Sequence, residues 1–150
     1  MIALDTNLLL RYLTQDDPVQ SPKATRVIQR LTEEEPGFVS LVAILEIVWV
    51  RKSIYKRTPY EIADEIEMIL AAETLEVQNE QEVYQAVVAL RGTGEFEDGL
   101  MGALGLWRGC SATQSCLGLA AVSLPQNRIA EKGPSGFRTW DRSYPHCKTR

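Results

Sequence analysis

Three carboxylates, Asp5, Glu46 and Asp98, stand out for the company they keep. Asp5 ends the apolar run Met1-Ile2-Ala3-Leu4, and helix-like sequence follows at once. That reads as a buried first strand delivering an acid to the carboxyl edge of a parallel sheet, where open α/β folds place their ligands. Glu46 sits among Leu41, Val42, Ile44, Leu45, Ile47, Val48, Trp49 and Val50, which leave almost no polar face. Such a helix is expected to be buried nearly all round. An ionised carboxylate there needs a cation, a metal or a shifted pKa. Asp98 opens a helix beside the small residues Gly99, Gly102 and Ala103, which let another element approach closely. Plainer readings stand next to these. Asp5 can simply end a strand, Glu46 can lie on a narrow solvent strip or pair with Arg51, and Glu95, Glu97 and Asp98 can complement a helix dipole. If the three acids converge, they form a hard oxygen site suited to Mg²⁺ or Mn²⁺. Such a site favours phosphodiester hydrolysis, because the metal acidifies a bound water and neutralises phosphate charge.

The elements that must position them follow from periodicity. Thr6 and Asn7 suit the capping of a short apolar helix that carries Arg11 and breaks at Asp16-Asp17-Pro18. Gln20 to Glu35 reads as a second helix, with Ala24, Val27, Ile28 and Leu31 on one face. Gly37-Phe38-Val39 reads as a second parallel strand. Ser40 caps the apolar helix from Leu41 to about Tyr55, which ends in the basic cluster Arg51, Lys52, Lys56 and Arg57. Such a cluster is usually a solvated face, but a phosphate backbone approaching Glu46 would meet it. Thr58-Pro59-Tyr60-Glu61 is a capping-box start. Thr74 to Val77 alternates as a third strand. Asn79 caps a helix that ends between Gly92 and Gly94, and Cys110 is expected to begin a further strand.

Composition narrows the classes. With 150 residues, 45% of them apolar, the chain suits one domain with a sizeable core. No apolar run approaches the roughly 20 residues of a membrane span, and the first residues lack a secretory signal's features. A reduced cytoplasm is the expected setting. The net charge of −4 supplies no global field for nucleic acid, so RNA would need a local patch or a metal. Cys110, Cys116 and Cys147 lack the spacing of a zinc site or a disulfide framework. His146 is the only histidine, which disfavours a Ser-His-Asp enzyme.

In order and spacing, the segments Ala3 to Leu13, Val42 to Val50 and Glu95 to Leu100 resemble the PIN-domain ribonucleases. Within them the chain is similar to the VapC toxins of toxin–antitoxin pairs. The resemblance runs from Met1 to about Cys110. It implies a three-layer α/β sandwich, with a central parallel sheet of four or five strands flanked by helices. It also implies a Mg²⁺-dependent endoribonuclease, a homodimer, and an antitoxin that blocks the site. By the match, Asp5, Glu46 and Asp98 are the acidic metal-site residues. Thr6 supports Asp5, and Glu95 stands where the family often has another acid. Asn7 belongs to the same motif, and Arg11, Arg51 and Lys52 are candidates to guide RNA.

The family usually places a fourth acid soon after the Gly-Cys pair, in a Thr-Phe-Asp-like strand end. Here Gly109-Cys110 is followed by Ser111 to Cys116 with no acid, and Thr139-Trp140-Asp141 comes some thirty residues late. Residues 111–150 hold six basic and two acidic side chains, against ten and eighteen in residues 1–110. Either Asp141 fills the fourth position after an insertion, or a reading-frame shift near codon 113 replaced the native end. The coincidence of charge, periodicity and family match all changing near one point favours the second. Two rivals remain: a catalytically impaired PIN-like module that dimerises and captures antitoxin or RNA, and a haloacid-dehalogenase-type phosphatase with Asp5 as nucleophile. The latter wants a second Asp two residues on, where this chain has Asn7.

Overall fold

A computed structural model describes residues 1–115 and 118–121. The described chain is mixed α/β: β1 (Ile2–Ala3), α1 (Thr6–Thr14), α2 (Gln20–Ile28), β2 (Gly37–Val39), α3 (Leu41–Ser53), α4 (Pro59–Ala71), β3 (Leu75–Val77), α5 (Glu80–Thr93), α6 (Phe96–Trp107), β4 (Ala112–Ser115) and β5 (Gly118–Ala121). β1, β2 and β3 pair in that order, all parallel, with Ala3 beside Phe38 and Phe38 beside Glu76. Each parallel step needs a long crossover, here the helix pairs α1–α2 and α3–α4.

The expected sheet of four or five parallel strands is not what the described residues form. The parallel sheet has three strands, and β4 begins at Ala112, two residues later than expected, to pair antiparallel with β5 in a separate ribbon. β1 is therefore an edge strand among the described residues. The expectation that it is buried fails with it, since Ile2 is 52% exposed and Ala3 is exposed too.

Local signals set the starts of α3 and α4. The Ser40 hydroxyl accepts from the Ala43 N–H at 3.2 Å, starting α3. Thr58 and Glu61 close a reciprocal capping box at the head of α4, the Thr58 N–H donating to Glu61 at 2.9 Å. α2 stops at Ile28, seven residues short of the expected end. Gly37 leaves room for the side-chain tips of Leu31 and Leu4, and buried Leu31 leaves the helix to fill it. The Glu33-Glu34-Glu35 run then closes a turn on Thr32, whose Oγ1 accepts from the Glu35 N–H at 3.1 Å. Asn79 precedes α5 in the left-handed region and makes no side-chain cap bond, which corrects its expected capping role.

The core is one cluster joining the sheet to the helices through Leu4, Leu9, Val39, Ile44, Ile47, Val48, Ile66, Val87, Leu90 and Phe96. α5 and α6 form the most extensive helix pair. A Cβ at Gly99 would collide with the Ala89 methyl and lie 3.2 Å from the Ala86 Cα. The small residues after Asp98 thus permit the close approach their sequence implied. No helix among the described residues is long and apolar enough to cross a membrane.

Candidate functional site

The register places Asp5, Ser40 and Gln78 in one row, just past the carboxyl ends of β1, β2 and β3. Gln78 extends the pairing by donating its N–H to the Val39 carbonyl at 2.9 Å. Its side-chain oxygen accepts from the Leu41 N–H at 3.0 Å, so it ties the end of β3 to the start of α3. Sequence reasoning overlooked Gln78; strand alignment was the signal that could have found it.

Asp5 occupies the N-cap of α1 with extended backbone, φ −76° and ψ 147°. Thr6 and Asn7 lie inside the helix rather than at its cap. An N-cap aspartate ordinarily accepts an N–H from the first turn. The Asp5 carboxylate accepts none; its carbonyl takes the Leu9 N–H at 3.2 Å, and the side chain is exposed. Its oxygens stay open to an outside partner. Thr6 is buried beside it, without a side-chain hydrogen bond to Asp5.

Glu46 departs from the burial argument. α3 is apolar nearly all round, yet only one side packs inward, through Ala43, Ile44, Ile47, Val48 and Arg51. Glu46 lies on the opposite side with Val42 and Trp49, and is exposed. The desolvation that would have demanded a partner for it is absent. Asp98 is likewise exposed, in the first turn of α6.

The basic residues divide. Arg51, expected to guide RNA, is 1% exposed and committed elsewhere. Its Nε donates to Glu65 at 2.6 Å, its Nη2 pairs with the other oxygen, and its guanidinium lies over the Tyr55 ring at 4.9 Å. The hydrogen bonds it donates to Glu65 hold its pKa above the ordinary value. Four residues of α3 beyond Ile47 carry it onto the inward face, where α4 supplies the carboxylate. Lys52 stays exposed, 3.7 Å from Glu95, and so connects the last turn of α3 to the head of α6. The elements carrying Glu46 and Asp98 meet at that pair, and α1, headed by Asp5, packs on α3.

A second polar group surrounds Asp16. Its carboxylate accepts from Tyr55 Oη at 2.6 Å, Thr14 Oγ1 at 2.7 Å and Arg11 Nη1 at 2.9 Å. The Tyr55 hydrogen bond, above all, holds its pKa far below the usual carboxylate range. Beside it, α1 and α2 flank an open cleft of about 200 Å³ lined by Asn7, Leu8, Arg11, Gln20, Lys23, Ala24 and Val27.

Asp5, Glu46 and Asp98 suit a hard cation in donor chemistry and in access. Their placement is another matter. Among the described residues, no three His, Cys, Asp or Glu side chains are grouped so as to hold a metal ion. Asp141, the candidate fourth acid, lies outside the described residues. No family model, curated protein or solved structure matches the chain.

Proposed function

We propose that this chain is built on the plan of a PIN-type endoribonuclease toxin, whose reaction is hydrolysis of an RNA phosphodiester with Mg²⁺ or Mn²⁺. The supporting observation is Asp5: an aspartate at the carboxyl edge of a parallel sheet, at a helix N-cap, whose carboxylate does no capping. In this reading Asp5, Glu46 and Asp98 would hold the ion, which supplies Lewis acidity and a more acidic bound water. Thr6 and Asn7 shape the start of α1, and Glu95 and Lys52 fix the approach of α6 to α3. Arg11 and Lys52 meet RNA; Arg51 does not, being buried against Glu65. A sandwich with further strands, a cognate antitoxin and a homodimer belong to the same proposal.

A second reading is favoured by a specific observation. The acids are not gathered as a metal group among the described residues. A chain of this plan without a complete acid set binds RNA or antitoxin and does not cut.

Incubating labelled single-stranded RNA with the purified chain, with Mg²⁺ and with chelator, separates the two. The nuclease reading expects Mg²⁺-dependent fragments and a loss of about 100-fold or more in Asp5→Asn. Binding without fragments in wild type selects the second reading.

A further inference from the structure

From the cleft between α1 and α2 we infer a second site, a subsite for one backbone phosphate of single-stranded RNA, held by Arg11 and Lys23. Choosing RNA as the ligand rests on the function proposed above; the cleft and its charge do not. Residues 1–110 carry eight more acids than bases, yet this cleft has two cations and no acid in its wall, Asp16 and Asp17 standing at its rim beside Arg11. Arg11 is aimed before any ligand arrives. Its Nη1 donates to Asp16 at 2.9 Å and its Nε to Gln20 at 3.2 Å, which leaves Nη2 without a hydrogen bond among the described residues. Asp16 is shared with Thr14 and Tyr55, so it orients the guanidinium while spending much of its accepting capacity elsewhere. Lys23 faces from α2, exposed, with no ion-pair partner among the described residues.

The remaining wall fits a nucleotide. Leu8 and Val27 are apolar and half-buried and can lie against a ribose or a base, with buried Ala24 as the floor, and Asn7 and Gln20 offer amides. The position is informative too. Arg11 comes six residues after Asp5, the N-cap of the same helix, about 9 Å along its axis and about a third of a turn round it. A strand passing over Asp5 and winding round α1 towards α2 would lay a neighbouring phosphate in the cleft. Backbone contacts of this kind position a strand without reading its sequence.

The test is binding in chelator, so that hydrolysis plays no part. Fluorescence anisotropy of a labelled oligouridine is followed across a salt series for wild type, Lys23→Ala, Lys23→Arg and Arg26→Ala. Arg26 is an exposed cation on α2 outside the cleft wall, and serves as the control for general charge. Losing one phosphate contact lowers the slope of log K against log salt by about 0.7 for a single strand. The expected result is that loss in Lys23→Ala with affinity down about threefold or more, retention in Lys23→Arg, and a smaller effect in Arg26→Ala. Equal effects of Lys23→Ala and Arg26→Ala, an unchanged slope, or no wild-type binding at low salt would overturn the subsite. So would displacement of the RNA by poly-glutamate with the same Lys23 dependence, which would point to an acidic polypeptide. If the Lys23 dependence holds while Mg²⁺ yields no fragments, the subsite stands and the nuclease reading falls.

Discussion

At the scale of single residues, Asp16 shows how a surface acid becomes structurally committed. One carboxylate takes the Tyr55, Thr14 and Arg11 donors, and so joins the end of α1 to the end of α3. Its pKa is depressed, so its contribution to stability is complete above the unfolded carboxylate range near pH 4. That contribution is lost as pH falls from there towards the folded value. Tyr55→Phe removes the largest cause of the depression. The variant should be less stable at neutral pH and should lose less stability than wild type between about pH 5 and pH 2. Urea midpoints across that range, with carboxyl titration by NMR, check it; parallel acid limbs would show that the Tyr55 bond is not the cause. The Tyr55 contact was not legible in the sequence, because Tyr55 and Asp16 are 39 positions apart and only the docking of α1 on α3 brings them together. The same holds for Arg51. A run of four basic residues reads as a solvated face, but the helix turns one of them inward. There its pairing with Glu65 is worth keeping intact, since one member left alone costs about 3–5 kcal/mol.

At the scale of elements, two local preferences compete in α6. Gly99 lies inside a helix, where alanine is intrinsically better by about 1 kcal/mol. Yet its missing side chain is where Ala86 and Ala89 of α5 press in. Overpacking a close contact costs about 1–3 kcal/mol, so the clash should outweigh the propensity. Gly99→Ala is expected to lower stability by up to about 2 kcal/mol, and Ala89→Gly in the same chain to recover part of it. Chemical denaturation of both variants checks this, and a stabilised Gly99→Ala would mean the helices can spread. Close approach was legible because small residues recur beside Asp98. So were the caps at Ser40 and Thr58, where the sequence carries the bonding groups itself. The end of α2 was not, because it depends on Leu31 finding space above Gly37, a contact made only once the sheet exists. The row of Asp5, Ser40 and Gln78 was half legible: an acid at a strand end shows in sequence, but register across three strands does not.

At the scale of the whole molecule, α3 poses a question that one copy of the chain does not answer. Its sequence has the all-round apolarity of a helix buried on every side, and one side remains in solvent. Val42 is 71% exposed and Trp49 57%, with Glu46 between them. Contiguous exposed apolar surface marks interaction sites, and Val42 and Trp49 supply its two ends here. The stripe is also self-complementary. Glu46 and Lys52 lie three residues to either side of Trp49, so a second copy running antiparallel about Trp49 sets each acid level with the partner's lysine. Isologous pairing about a two-fold axis has that property. It would also return Glu46 to the sheltered setting that its neighbours predict, but paired with a lysine, so that the dimer contact and the proposed metal site compete for the same carboxylate. Trp49→Asp should therefore reduce the molecular mass in sedimentation equilibrium to that of one chain. It faces solvent, so the secondary structure should be unchanged by circular dichroism. A wild-type chain that sediments as a monomer at tens of micromolar, or a Trp49→Asp chain that still sediments as a dimer, would remove α3 as the contact and leave Glu46 exposed in the working molecule.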